Sequence, residues 1–453
     1  MTAKATIHNF QARLRLDSHH STEWFGAVFA AFALLLVLLV ASLGGSANAN
    51  TRAQVSQTAV YTTAFTTSKT DLSGKVTGIY TGDDRTRSLV MMQFDPSAAS
   101  AMSADAGNYQ AFVTGSSPSL KQETLANGLA GEFVVFGSTG YVGMVLDSDA
   151  PFERQILNLT MRANSELVYG TATKKDLRED LRGDTSFLDF DQWRVFVNPG
   201  ADEVVTASSI GGADEEFSPS DAYYELVVAP EEAEVRIDID TQLAQMQVDL
   251  NKINEYTAQM ATANVGGVKI VPPAVPVQIA GDTVTGTPGT EAAASDSDAS
   301  PEPTPEVTAS EESEPLELHT TWVSPKGYNF DWRDGSVHEG YLDALVPSSQ
   351  SYVQFLGDKA STPTDEEAFT SSSLVWQLTD GSNLATDYSS ASAAMAPLMD
   401  VMNNLSQAYQ NYYNHKIKYQ TEGYDLVIAL EVSLLNVDLS STTNNSEDAL
   451  LPY

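Results

Sequence analysis

The chain has 453 residues, 42% of them hydrophobic, which is enough for two or three domains with real cores. Its formal net charge is −36, with 60 acidic against 24 basic side chains, so it lacks the basic clusters that nucleic-acid binding needs to displace counterions. The absence of cysteine excludes disulfides, thiolate metal sites and a cysteine nucleophile.

Residues 1–24 form a short leader carrying Lys4, Arg13 and Arg15, and Phe25–Leu43 follows as an uncharged apolar run. At ~1.5 Å per residue that run approaches the ~30 Å hydrocarbon thickness of a bilayer. Only Arg52 lies close behind it, so the basic bias predicts the leader inside and the bulk outside. Two readings of the segment stay open. Its length suits an uncleaved signal anchor with Trp24 at the inner interface. Gly44-Gly45 followed by Ala47-Asn48-Ala49 suits a signal peptide cleaved near Ala49 and a secreted product.

From 53 to 230 the pattern is β-rich. Expected strands are Val55–Phe65, Lys75–Tyr80, Ser88–Phe94, Tyr109–Val113, Glu132–Phe136, Tyr141–Leu146 and Ile156–Arg162. After a polar helical stretch at Lys174–Arg182 come Trp193–Val197, Val204–Ser208 and Tyr223–Val228. Gly82-Asp83-Asp84, Asp95-Pro96 and similar turn signals separate them, which predicts an antiparallel β-sandwich-like domain.

The period then changes. Val235, Ile239, Leu243, Met246, Leu250, Ile253 and Met260 step by three and four, predicting one amphipathic helix over 231–264. Its stripe could form a coiled-coil seam or pack on the protein's own sheet or second helix. Residues 272–316, rich in Pro, Ser, Thr and Glu, read as a disordered acidic linker. Beyond it a second α+β region spans 317–440, with strands at Tyr352–Leu356 and Leu374–Leu378. A second amphipathic helix at 397–420 carries Leu398, Val401, Met402, Leu405, Tyr409, Tyr412 and Lys416, and Tyr413 falls off the stripe. A terminal strand at 426–437 and a polar tail at 441–453 close the chain. The fold class expected is therefore mainly β with α (α+β), with a single transmembrane helix.

Chemical motifs are sparse. Gly137-Ser-Thr-Gly140-Tyr-Val-Gly143 has dinucleotide-turn spacing, but a strand-like run and Pro151 follow where a helix is needed, so a β-hairpin turn is expected. His319, His338 and His415 are too scattered for a zinc site, and Pro219 interrupts the calcium-loop spacing of Asp214–Glu225. Weak divalent-cation binding by surface carboxylates is the metal chemistry left. No Gly-x-Ser-x-Gly elbow occurs. Trp322, Tyr328, Trp332 and Asp334 make an aromatic-acidic stretch able to stack sugars, and Tyr413 adds a contact surface.

No catalytic, cofactor-binding or metal residues are assigned. The expectation is a membrane-anchored, extracytoplasmic, non-enzymatic scaffold or binding component of a bacterial-type envelope assembly (secretion, conjugation or surface appendage). It would hold protein partners or copies of itself. The alternative is a secreted or tethered glycan-binding protein or glycan-active enzyme using 322–339.

Overall fold

A computed structural model describes residues 57–117, 121–163, 190–287, 315–328, 335–360, 368–388, 393–440, 442–444 and 450–452. The segment 25–43 and the polar helix at 174–182 lie outside the described residues, as does 288–314 of the linker. Among the described residues no helix is long and apolar enough to cross a membrane. The chain contains both strands and helices and divides into two compact units.

The first unit comprises residues up to Val135, Gly140–Phe217 and Thr442–Tyr453. Its strands are β1 (Ala64–Thr66), β2 (Ser73–Thr81), β3 (Arg87–Phe94), β4 (Tyr109–Ser116), β5 (Gln122–Glu123), β6 (Leu129–Val135), β7 (Tyr141–Ser148), β8 (Ile156–Ala163), β9 (Gln192–Val197) and β10 (Val205–Thr206). One sheet runs β1-β2-β3-β7-β6 and ends on Thr442–Asn444, with β10 parallel to β2. The other runs from Leu450–Pro452 through β4 and β8 to β9, with β5 beside β4. Alternation in β4 and β8 buries every second side chain. Both sheets feed one apolar core centred on Trp193, whose ring meets Phe65, Phe94, Tyr109 and Phe133 at 5.5–6.3 Å between centroids. Arg87 and Asp147 face each other across β3 and β7 and pair through two hydrogen bonds of 2.7 and 3.4 Å. The glycine motif forms the β6–β7 turn, with φ of +58° at Gly137 and +83° at Gly140, where a side chain would be strained.

The second unit comprises Phe136–Thr139 and Ser218–Ser441. Three long helices build it: α1 (Ala229–Thr262), α2 (Ala396–Ile417) and α3 (Tyr424–Ser440). The apolar stripe expected on α1 packs on α2, burying Ile239, Leu243, Met246, Ile253 and Met260. Phe136 sits against Tyr223 at 5.9 Å, and the Ser138 amide donates to Asn436 Oδ1 at 2.8 Å.

Several expectations are corrected here. Tyr223–Val228 is helical, its last five residues forming a π-helical turn that leads into α1. Tyr352–Leu356 belongs to a helix, Tyr352–Ala360. Leu374–Leu378 makes only isolated bridges, Ile270 with Leu378 and Gln377 with Asn383. Val55–Phe65 shortens to β1 and a bridge from Val60 to Val197. The terminal strand 426–437 is a helix. The helix expected to end at 420 does not stop there: α2 passes through a π-helical stretch, Lys418–Gly423, straight into α3. Gly423 is there for contact: an added Cβ would lie 2.6 Å from Ile239 Cγ1. The mainly-β description therefore gives way to one β-rich unit and one helical unit. The linker is also narrower than 272–316. Ile279, Asp282 and Leu316 are buried, and Thr283–Thr285 pairs antiparallel with Glu317–His319.

Candidate functional site

Helix α2 presents Lys416 on its apolar stripe, and the side chain is fully buried. Its ammonium donates to three acceptors: Asp282 Oδ2 at 2.6 Å, the Gln278 carbonyl at 2.7 Å and Thr320 Oγ1 at 2.7 Å. Thr320 Oγ1 also lies 2.5 Å from Asp282 Oδ1, and the Tyr412 hydroxyl, one turn back on α2, donates to Asp282 Oδ2 at 2.7 Å. The Trp322 ring covers the ammonium at 5.1 Å. Desolvation lowers the Lys416 pKa, opposed by the hydrogen bond and charge of Asp282. Burial, with Asp282 beside it, drives the Tyr412 hydroxyl up. The cluster thus joins α2 to both chain segments that flank residues 288–314.

A second group of buried charges holds the loop 335–342. Glu232 on α1 accepts from the Val337 amide at 3.2 Å and pairs with Arg236. Arg236 also donates to the Gly335 carbonyl at 2.7 Å and to the Tyr341 hydroxyl. Glu431 on α3 accepts from the amides of Tyr341 at 2.6 Å and Leu342 at 3.0 Å. Burial raises the Glu431 pKa, against the two amides that lower it. Between α1 and α2, buried Asp249 meets His415 Nδ1 at 2.9 Å.

The residues singled out from sequence divide into three places. Trp322 and Tyr413 come together at 6.2 Å, beside the Lys416 cluster, and Tyr413 is buried against Phe369 rather than standing off the stripe. Tyr328 is 4% exposed, in a separate ring cluster with Tyr424 and Phe355, and desolvation raises its hydroxyl pKa. Trp332 and Asp334 lie outside the described residues. Of the neighbouring polar groups, His338 is exposed beside the Tyr224 ring and Asp221. Among the described residues no group of three or more His, Cys, Asp or Glu is placed to hold a metal ion. A shallow depression on the first unit, lined by Leu125, Phe152, Glu153 and Leu157, has room for about one water.

Sequence reasoning placed Lys416 on a buried stripe without drawing the consequence. A lysine at a core register position must find a carboxylate or lose its charge. That signal was available for Lys416; nothing local marked Asp282, Thr320, Glu232 or Glu431 as its kind of partner.

The outer surface of α3 is different in character. Leu426 is 51%, Val432 37% and Leu439 83% exposed, on a helix whose opposite face buries Tyr424, Val427, Ile428, Leu434 and Val437. Compared with known proteins, the chain matches no family model, no curated protein and no solved structure.

Proposed function

We propose that the chain is a membrane-anchored, extracytoplasmic scaffold or binding component of a bacterial-type cell-envelope assembly, and not an enzyme. In this reading 25–43 is the tether, the two-sheet unit is a sandwich-like spacer, and the helical unit carries the partner-binding surface. The observation that carries it is α3, a helix without a basic residue whose outward Leu426, Val432 and Leu439 remain exposed beside Asp425 and Asp438. Large exposed apolar side chains recurring along one helix favour protein contact over solvent. The buried charges support the same reading, because each is engaged with the unit's own backbone or side chains: Lys416 with Gln278 and Asp282, Glu431 with Tyr341 and Leu342.

Cross-linking in intact membranes tests the reading. A discrete partner or homo-oligomer band is expected from the full chain, and Leu426→Glu with Leu439→Glu should abolish it without changing the chain's level. A clean monomer at native concentration contradicts it. N-terminal sequencing of the mature chain tests the tether separately, since a start at Asn50 makes the protein a released one.

A further inference from the structure

We propose that Lys416 and Asp282 condense into an intramolecular isopeptide bond, an amide between Lys416 Nζ and Asp282 Cγ formed once the helical unit has folded. The two side chains are completely buried, with Nζ 2.6 Å from Oδ2. Three neighbours supply what the condensation requires. Thr320 Oγ1 lies 2.7 Å from Nζ and 2.5 Å from Asp282 Oδ1, so its hydroxyl connects the amine to the carboxyl oxygen that must leave. The Tyr412 hydroxyl donates to Oδ2 at 2.7 Å, where negative charge develops. The Gln278 carbonyl, 2.7 Å from Nζ, accepts the one N–H that the product amide keeps.

The step balances without a co-reactant. The ammonium passes one proton through Thr320 to Oδ1, leaving a neutral amine and a neutral carboxyl group. Burial favours the neutral amine, in keeping with the lowered pKa of Lys416. The amine lone pair attacks Cγ, and the C=O electron pair moves onto Oδ2 under the Tyr412 hydroxyl. Nitrogen passes a second proton through Thr320 to Oδ1. The Cγ–Oδ1 bond breaks, water leaves and the carbonyl reforms. One C–N bond is made and one C–O bond is broken, and nothing is oxidised or reduced. Holding the two groups in contact supplies the effective concentration that free amine and carboxylate lack.

The bond would join residues 134 positions apart and close a ring around 288–314. A chain without cysteine would thereby gain a covalent staple that needs no oxidant and survives a cut in that stretch.

Peptide mapping of the purified full chain by mass spectrometry decides the matter. After trypsin, the expected product is a branched peptide joining 270–326 to 360–418, lighter than the sum of the two by one water, with the bond after Lys416 uncut. Separate peptides at full mass, with cleavage after Lys416, overturn the proposal and leave a plain ion pair. A protease site inserted between Ala299 and Ser300 gives an independent readout: the cut chain should run as one band on a denaturing gel, and two bands overturn the bond. Thr320→Val should slow closure at least tenfold in freshly folded protein. Closure at the wild-type rate removes Thr320 from the relay.

Discussion

The two units solve the same problem with different chemistry. In the first, neighbouring backbones are joined by ladder hydrogen bonds, so its interior can be almost wholly apolar around Trp193. In the second, the helices spend most of their backbone groups internally and offer few to the loops laid across them, the Gln420 carbonyl, which accepts from the Tyr328 amide at 2.8 Å, being one. Side chains replace the ladder. Glu232 and Glu431 take up loop amides, and Lys416 takes up the Gln278 carbonyl. This is why Glu232, Lys416 and Glu431 are buried in the helical unit, with Asp282 as the counter-charge of Lys416 and Asp249 paired with His415 between helices, whereas the sheet unit buries Arg87 and Asp191. Asp191 follows the same rule, since it accepts from the Lys69 amide at 2.7 Å and the Thr70 amide at 3.1 Å in an irregular turn. Arg87 lies on the β3–β7 ladder itself, and its guanidinium donates to the Ile210 and Ala213 carbonyls at 3.5 and 3.4 Å.

The contrast can be broken at its strongest point first. Relative to the ion-paired chain, Lys416→Met strands the Asp282 carboxylate in the core and should cost about 3–5 kcal/mol, and more once the Lys416–Asp282 amide has closed, while adding Asp282→Leu should return the part due to the stranded charge. Urea midpoints at constant slope would register both changes. In the sheet unit the corresponding blow is steric. Trp193→Ala opens a cavity among Phe65, Phe94, Tyr109 and Phe133 and should cost about 3–5 kcal/mol. Unlike Lys416→Met, it leaves no charge for a second substitution to neutralise.

Glu431→Gln should cost less, about 1–3 kcal/mol, because the amide can still accept from one of the two loop N–H groups. It also carries a pH signature. Burial raises the Glu431 pKa above its ordinary 4.5, with Asp343 adding to the rise. A raised folded pKa gives stability that is complete below the unfolded value and lost as pH climbs through the folded one. Wild-type stability should therefore fall as pH rises from 4.5, and Glu431→Gln should flatten that part of the urea-midpoint profile. Glu132 in the sheet unit has the same sign through its own burial and Asp147, so the difference between variant and wild type isolates Glu431. The smallest effect is expected at Arg154, whose pair with Asp202 is 57% and 48% exposed. Arg154→Ala should change stability by less than about 1 kcal/mol, within the scatter of replicate denaturation curves.

Much of the sheet unit was legible because its strands alternate and its turns are marked, as at Gly137-Ser-Thr-Gly140. Helix α1 was legible from a clean three-four stripe. The misreadings share a cause. Tyr223–Val228, Tyr352–Leu356 and Leu426–Val437 are short apolar runs whose β-branched content looks like strand, and periodicity alone cannot separate a buried strand from a helix. In α3 the exposed Leu426, Val432 and Leu439 filled the positions where polar residues would have revealed the helical period. Gly423, between the expected helix and the expected strand, lets Ile239 approach the continuous helix. The Lys416 cluster was half legible. The lysine announced itself by register, but Asp282 and Thr320 lie 134 and 96 residues away, on opposite sides of 288–314.

Hydrogen exchange on the full chain, wild type against Lys416→Met, tests the division between ladder-held and charge-held backbone most directly. Protection should fall first in Gln278–Asp282, Thr320–Trp322 and α2, with β3 and β7 keeping theirs. Equal loss across the sheets and helices, or unchanged protection around Asp282, would contradict it.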